Sequence, residues 1–137
     1  MKKILTAAFC AAMASPALAQ GWPTGYEGVM VQGFYWDSYS DSQWKNLEKQ
    51  APELGSYFSL LWVPQSGKCL EEHNVMGYTP YYYFDQNSSF GSEAELRSMI
   101  RAMRQNGVGV LADVVINHHN TSGWFSFPKE EYRGTTY

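Results

Sequence analysis

An α/β fold with parallel strands is predicted by the order of hydrophobic patterns along the sequence. Short apolar runs at 29–34, 59–63 and 108–116 have the length and character of buried strands. Between them lie two stretches in which apolar residues recur every three or four positions, as they do on one face of a helix. Strands that are joined by helical crossovers have to run parallel in the sheet.

The first helix is expected between the first two strands. Ser40, together with Gln43 or Asp41, is a candidate cap for its start. Its apolar face would be formed by Trp44, Leu47, Ala51 and Leu54. Pro52 lies inside this stretch, and we expect it to kink the helix or divide it in two, because proline has no backbone N–H.

The second helix is expected between the long segment 65–90 and the third strand. Ser92 and Glu95 have the spacing of a capping box, which satisfies two backbone donors at a helix start. The apolar stripe that follows consists of Leu96, Met99, Ile100 and Met103. Asn106 and Gly107 are typical of a helix end. The third strand is apolar apart from Asp113, a pattern that indicates burial on both faces.

The first 19 residues have the pattern of a signal peptide. Lys2 and Lys3 are followed by an apolar stretch at 4–13 and by small residues that end at Ala19. The apolar stretch is shorter than the roughly 20 residues that a membrane span needs. We therefore expect an exported protein, periplasmic or extracellular, whose mature chain begins at Gln20. On length alone, residues 20–137 could form one small domain.

The charge balance excludes some classes of partner. Without Lys2 and Lys3, eight basic residues face thirteen acidic ones, which gives a formal charge of −5 with histidine neutral. Such a chain has no attraction for nucleic acid or for an anionic membrane surface. Cys69 would be the only cysteine of the mature chain, so no internal disulfide is expected. The 16% aromatic share suggests carbohydrate, because aromatic faces stack on sugar rings.

Polar residues follow the third apolar run, where the carboxyl edge of a parallel sheet gathers ligands. Asn117 could supply an oxygen to calcium, or could cap the strand end by bonding to nearby backbone. His118 could donate to a substrate hydroxyl, and His119 could do the same. Asp113 is a carboxylate inside an apolar strand, so it is either a structural anchor or part of the site.

The long segment 65–90 is rich in Tyr, Asn, Ser and Gly, and long loops of this kind are commonly functional. Tyr78 follows a glycine, so its ring could lie against a sugar. The tyrosines at 81–83 would simply pack the loop down. The sequence contains no G-x-S-x-G elbow, phosphate loop or HExxH motif.

Taken together, these residues resemble the α-amylase family of glycoside hydrolases, in its plant-like branch. The match spans roughly 28–119, and its most specific part is DVVINHH at 113–119, which is similar to the family's first shared motif at the end of the third barrel strand. Residues 32–37 resemble the first barrel strand of the family, and 62–64 resemble the second. The loop pattern from Gly77 to Gly91 also matches.

The resemblance implies a fold and an activity. The chain would form about β1-α1-β2-α2-β3 of a (β/α)8 TIM barrel, incomplete by itself, in an enzyme that cleaves α-1,4-glucosidic bonds inside starch or maltooligosaccharides with retention. It implies that Asn117 is a calcium ligand and that His118 hydrogen-bonds the glucosyl unit at the cleavage point. Tyr78 would stack on that same unit, and Asp113 would be structural.

Retaining cleavage needs two carboxyl groups about 5 to 5.5 Å apart. In the family that this chain resembles, these two groups and a third, supporting aspartate follow the fourth, fifth and seventh strands, so we expect no catalytic residue in this chain. We expect an N-terminal fragment of a secreted α-amylase, in which 120–137 enters a domain inserted after the third strand. Expressed alone, such a fragment should be unstable and inactive on starch, because three strands cannot close a barrel.

Two alternatives stay open at this point. The chain could be a small exported carbohydrate-binding module without catalytic activity, although such modules are more often all-β sandwiches. It could also belong to a transglycosylase of the same clan, which this half of the barrel does not distinguish from a hydrolase.

Overall fold

A computed structural model describes residues 26–71, 73–121 and 128–136. The predicted signal peptide at 1–19 lies outside the described residues. The elements in chain order are β1 (Met30–Gln32), α1 (Trp44–Tyr57), β2 (Leu60–Val63), α2 (Glu93–Gln105), β3 (Gly109–Ala112), β4 (Glu131–Tyr132) and β5 (Thr135–Thr136). In this part of the chain, no helix is long and apolar enough to cross a membrane.

The first three strands form one parallel sheet in the order β1-β2-β3, with β2 in the centre. Across the sheet, Val31 is level with Leu61, and Leu61 is level with Val110. The helices α1 and α2 provide the crossovers between these strands. This arrangement confirms the predicted α/β fold with parallel strands.

The core lies between the sheet and the two helices. Leu61 and Val63 alternate with the less buried Leu60 and Trp62 along β2, as expected when one face of a strand is covered. The buried residues of this cluster are Phe34, Trp44, Leu47, Ala51, Leu61, Val63, Met76, Phe90, Leu96, Met99, Met103 and Val108. Burial of these apolar side chains is the main source of stability for the sheet and helices.

The predicted cap of α1 is wrong. Residues 37–42 form turns, and the helix begins later, after Gln43, whose side chain makes no capping hydrogen bond. Ser40 lies outside the helix, where its hydroxyl donates to the Asp41 carboxylate over 3.3 Å. The first helical N–H, that of Trp44, donates to the Phe90 carbonyl at 2.8 Å. The start of α1 therefore depends on a distant part of the chain, which local spacing does not reveal.

Pro52 does not divide α1, which runs as one helix from Trp44 to Tyr57. Of the two predicted effects of Pro52, the division is therefore wrong, and the kink stays a prediction. Leu47 and Ala51 on this helix are buried, and Leu54 packs against the same core. Packing of this apolar face holds the helix together although Pro52 has no N–H to donate.

The predicted limits of α2 are confirmed. The Ser92 hydroxyl accepts from the Glu95 N–H, and the Glu95 carboxylate accepts from the Ser92 N–H, which is the complete capping box. At the other end, Asn106 is the C-terminal cap and Gly107 has φ +79°. Glycine adopts this left-handed conformation without a steric penalty, so it ends the helix.

The third strand is shorter than the sequence predicts. It ends at Ala112, and the apolar residues that follow it are exposed, Val114 by 65% and Ile116 by 83%. The prediction of a strand at 108–116 that is buried on both faces is therefore wrong. β3 is an edge strand of the described sheet and pairs only with β2, so no neighbour extends or covers its far end.

A two-residue turn joins β4 to β5 near the end of the chain. Arg133 and Gly134 in that turn both have positive φ, at 50° and 77°. This pairing matches the twist of an antiparallel hairpin. No hairpin was predicted from the sequence at this position.

Candidate functional site

The candidate site lies at the carboxyl edge of the parallel sheet, where the segments after β1, β2 and β3 come together. Trp36 follows β1, Tyr78 belongs to the long loop after β2, and Asp113 and His118 follow β3. Parallel strands end at one edge of a sheet, so their following loops converge there.

Tyr78 is at the centre of this group and has three contacts. Its hydroxyl donates to Asp113 Oδ2 at 3.3 Å, and its main-chain oxygen is 2.8 Å from His118 Nε2. Its ring is parallel to that of Trp36, with centroids 6.0 Å apart and planes at 8°. The structure therefore brings together Tyr78, Asp113 and His118, which the sequence analysis selected from segments about 40 residues apart.

Burial of Tyr78 raises the pKa of its phenol, and the negative charge and hydrogen bond of Asp113 raise that pKa further. The hydroxyl is therefore protonated at neutral pH and is able to donate. Asp113 is half-buried, and the phenol satisfies one of its oxygens. A carboxylate near an apolar strand needs such a partner, and the Tyr78 hydroxyl supplies it.

The contacts of His118 assign its tautomer. Nδ1 is 3.0 Å from Asn117 Nδ2, which can only donate, so Nδ1 accepts. Nε2 faces the Tyr78 carbonyl, which can only accept, so Nε2 carries the proton. Both ring nitrogens are thus engaged within the protein. A sugar hydroxyl would have to replace or share the Tyr78 carbonyl as the acceptor for Nε2–H.

Asn117 is exposed and uses its amide nitrogen for His118, so its oxygen is the atom that a cation would contact. Calcium takes six to eight oxygen ligands. Among residues 26–71, 73–121 and 128–136, no group of three or more His, Cys, Asp or Glu side chains is arranged to hold a metal ion.

The loop that carries Tyr78 is fixed by Gln65, which follows β2 directly. Gln65 is buried, and its Nε2 donates to the Gly77 carbonyl at 2.9 Å while its Oε1 accepts from the Gly67 N–H. Gly77 has φ +96°, and a Cβ at this position would lie 2.9 Å from the Gln65 main-chain oxygen. Only glycine fits here, so Gly77 sets the path of the chain into Tyr78.

An open cavity of about 270 Å³ lies beside the Trp36 and Tyr78 rings. Its other lining residues are Asp37, Glu71, Asn74, Val75, Met76 and Thr79. Asp37 and Asn74 have positive φ, at 64° and 59°. The cavity combines aromatic faces with carboxylate, amide and hydroxyl groups, which is the mixture that suits a sugar.

Two residues of the site were missed by the sequence analysis. Trp36 is 71% exposed and presents its ring beside Tyr78, and Gln65 anchors the loop. The available signal was their position, since each lies just after an apolar run that ends at the same edge of the sheet. His119 is placed differently from His118, because its ring packs against Tyr81 and Tyr83, with centroids 6.0 and 4.8 Å away.

No protein-family model matches the chain. Among curated proteins it is similar to the probable α-amylase 2 of Arabidopsis thaliana, at 36% identity over 91 residues, which are 66% of this chain and 21% of that protein. It is also similar to the chloroplastic α-amylase 3 of the same organism, at 33% identity over 103 residues, 74% of this chain and 11% of that protein. The chain thus spans about a fifth or less of these relatives.

A solved structure of α-amylase I from Eisenia fetida in complex with maltohexaose has the same fold in the matched region. The TM-score is 0.58 at 24% identity, covering 70% of this chain and 19% of that one. The parallel strands with helical crossovers and the polar edge of the sheet are consistent with the similarity to the curated relatives. The chain belongs to the α-amylase family. It matches only part of the length of the family members compared with it.

Proposed function

We propose that this chain supplies part of the glucan-binding side of an enzyme that cleaves internal α-1,4-glucosidic bonds in starch-like substrates with retention. The observation that carries the proposal is the Trp36–Tyr78 stack at the carboxyl edge of the sheet, beside the polar cavity and within bonding distance of His118. Aromatic faces bind the apolar faces of glucose rings, and the polar groups around them orient the hydroxyls.

In this proposal, the residues have separate roles. Tyr78 stacks on the glucosyl unit at the cleavage point, and His118 Nε2–H donates to one of its hydroxyls in place of the Tyr78 carbonyl. Trp36 extends the aromatic surface toward the cavity. None of these groups is a nucleophile or an acid/base, and we assign no catalytic carboxylate among the described residues, because the paired carboxyl groups belong after later barrel strands.

Further parts of the proposal concern calcium, export and the end of the chain. Asn117 would give its side-chain oxygen to a calcium ion. Residues 1–19 would direct export to the periplasm or the extracellular space and then be removed. Residues 120–137, which include the β4–β5 hairpin, would enter a domain inserted after the third strand.

The parallel sheet argues against the alternative of a small all-β binding module. Hydrolysis and transglycosylation would be separated by product analysis with and without an acceptor sugar. Water as acceptor gives only shorter glucans from maltohexaose, whereas transfer to sugar also gives longer ones.

The test measures maltohexaose binding by the protein expressed from the gene that encodes this chain. Tyr78→Ala should weaken binding about fivefold or more, because truncating an aromatic side chain on which a ligand ring stacks costs about 1 to 3 kcal/mol, as measured for stacked bases. Tyr57→Ala is the matched control, since Tyr57 is an exposed ring at the end of α1. Unchanged affinity in Tyr78→Ala, or equal binding of a β-linked glucan, would contradict the proposal.

A second assay addresses the catalytic part. The 137-residue chain by itself should not release reducing sugar from starch. Measurable hydrolysis by the purified chain would show that the cleaving carboxylates lie within it and would overturn their assignment to later strands.

A further inference from the structure

We propose that Asp113 is a positioning residue for Tyr78, holding the phenol end of the ring so that its face is presented in one orientation to a glucosyl unit. This inference rests on the proposed function, because it assumes that Tyr78 stacks on a glucosyl unit. It adds a role for Asp113 that the proposed function does not require. The juxtaposition that carries it is the 3.3 Å contact between the Tyr78 hydroxyl and Asp113 Oδ2, made across 35 residues of sequence.

The position of Asp113 is fixed by the sheet. It is the first residue after β3, and its N–H donates to the Val63 carbonyl at 3.3 Å, which continues the β2–β3 ladder by one step. Side chains alternate between the two faces of a strand, so Asp113 shares a face with Leu111 and, by register, with Trp62 and Gln32. That face is opposite to the one formed by Leu61 and Val63, which lies in the core beneath the helices.

The three contacts of Tyr78 restrain different motions. Before the sugar binds, the His118 bond holds the main chain of Tyr78, and the stack on Trp36 fixes the plane of the ring. The Trp36 stack and the packing of Tyr78 against the apolar core are not directional, so they alone leave the ring some freedom to slide. The carboxylate at the para position stops that motion, because it fixes the end of the ring farthest from the backbone.

The preference for this pairing is mutual. Asp113 is half-buried, and its carboxylate would lose a hydrogen-bond donor if the phenol moved away. In turn, burial and the Asp113 charge raise the pKa of Tyr78, so the phenol keeps the proton that it donates. A ring ordered before binding costs less entropy when the sugar arrives, which improves affinity by about threefold to tenfold for one side chain.

The experiment is a double-mutant cycle on maltohexaose affinity, in the protein expressed from the gene that encodes this chain. Tyr78→Phe keeps the ring face but removes the hydroxyl, and Asp113→Ala removes the carboxylate. Each single variant should raise the Kd for maltohexaose about threefold to tenfold. The double variant should have a Kd no higher than that of the single variant with the higher Kd. Asp113→Asn retains an acceptor oxygen and should preserve most of the affinity.

A second readout follows the phenol directly. With tyrosine labelled at the ring carbon that bears the hydroxyl, NMR titration should show that Asp113→Asn lowers the pKa of Tyr78 toward its ordinary value. Tyr78→Phe identifies the resonance. Asp85→Asn is the control, since the Asp85 carboxylate faces Lys68 and Asn87, and it should leave the pKa of Tyr78 unchanged.

The outcomes separate this proposal from the proposed function. If Tyr78→Ala weakens binding but Tyr78→Phe and Asp113→Ala do not, the ring binds sugar and the positioning role is wrong. Additive losses in the double variant, or an unmoved pKa in Asp113→Asn, would also overturn the positioning role. Unchanged affinity in Tyr78→Ala would overturn the proposed function, and the positioning role with it.

Discussion

The sheet with its two helices and the loops at its carboxyl edge differ in the interactions that dominate them, although Phe34, Met76 and Phe90 of the loops also belong to the apolar core. In the first region, hereafter the framework (β1–β3, α1 and α2), apolar side chains such as Leu61 and Met99 are fully buried. In the second region, the edge loops (33–42, 64–91 and 113–121), polar side chains bond to distant backbone, as Gln65 does to Gly77.

The difference has a physical consequence. Apolar burial is strong but not directional, so it stabilises the framework without fixing each side chain to a fraction of an ångström. Hydrogen bonds contribute about 1 kcal/mol each, yet they have narrow limits of distance and angle. The framework therefore provides stability, and the edge loops provide the geometry that a sugar would meet.

The largest expected effect concerns the framework. Leu61→Ala removes a fully buried side chain from the central strand and should lower the free energy of unfolding by about 2 to 5 kcal/mol. Ile116→Ala is the control in the edge loops, since Ile116 is 83% exposed, and it should change that free energy by less than about 0.5 kcal/mol. Urea denaturation measures both. Equal effects would contradict the division into two regions.

A glycine substitution in each region sharpens the comparison. Gly77→Ala should cost about 2 kcal/mol, because Gly77 has positive φ and its new Cβ would meet the Gln65 backbone. Gly107→Ala should cost about 1 kcal/mol, since φ is also positive but nothing lies within 4 Å of the new Cβ. The cost of Gly77→Ala should be measurable as faster amide exchange within 64–91. The cost of Gly107→Ala should be measurable as a lower free energy of global unfolding. The reverse pattern would show that the loop unfolds only with the framework.

Glu130 tests whether side-chain bonds to backbone hold the edge loops. Its two carboxylate oxygens accept from the N–H groups of Tyr83 and Phe84, each at 2.7 Å. Glu130→Gln leaves one acceptor oxygen for two donors and should cost about 1 kcal/mol, which corresponds to roughly fivefold faster exchange at one of these amides. Glu131→Gln, a change of the neighbouring exposed carboxylate, should leave both rates unchanged. If the Tyr83 and Phe84 amides exchange at the same rates in both variants, Glu130 does not hold the edge loops.

The smallest effect is a pH dependence at the start of α2. The side-chain bond to Lys45 and the backbone bond to Ser92 hold the pKa of Glu95 below its ordinary value of 4.5. This stabilisation is fully present above the unfolded pKa, and it is lost as the pH falls through the folded pKa. Amides of the first turn of α2 should therefore exchange faster on acidification below about pH 4.5, relative to the intrinsic rate. In Glu95→Gln that extra acid sensitivity should be absent.

Much of the framework could be predicted from the sequence because its signals are local and periodic. The capping box at Ser92 and the glycine at 107 both lie within one turn of the helix that they limit. The start of α1 could not be predicted in this way, since Trp44 donates to Phe90, more than 40 residues away. The predicted strand at 108–116 was too long because apolar residues do not form a strand without a partner strand beside them.

The candidate site could be predicted only in part for the same reason. Asp113 and His118 lie on a short motif whose residues are close in sequence, and Tyr78 lies in a recognisable loop. Their roles remain predictions, but the structure brings the three together. Trp36 and Gln65 carried no motif of their own, and their importance follows from contacts with Tyr78 and Gly77 that exist only in the folded chain.

Cys69 gives the edge loops a reporter of their own motion. Its side chain is 3% exposed, and its backbone pairs with Pro80 across the loop. Burial raises the pKa of this thiol, which further reduces its reactivity while the loop is closed. A thiol-specific reagent therefore modifies Cys69 only during transient opening. The rate of that modification, compared with the rate for the denatured chain, measures how often the surface around Tyr78 comes apart while the framework stays folded.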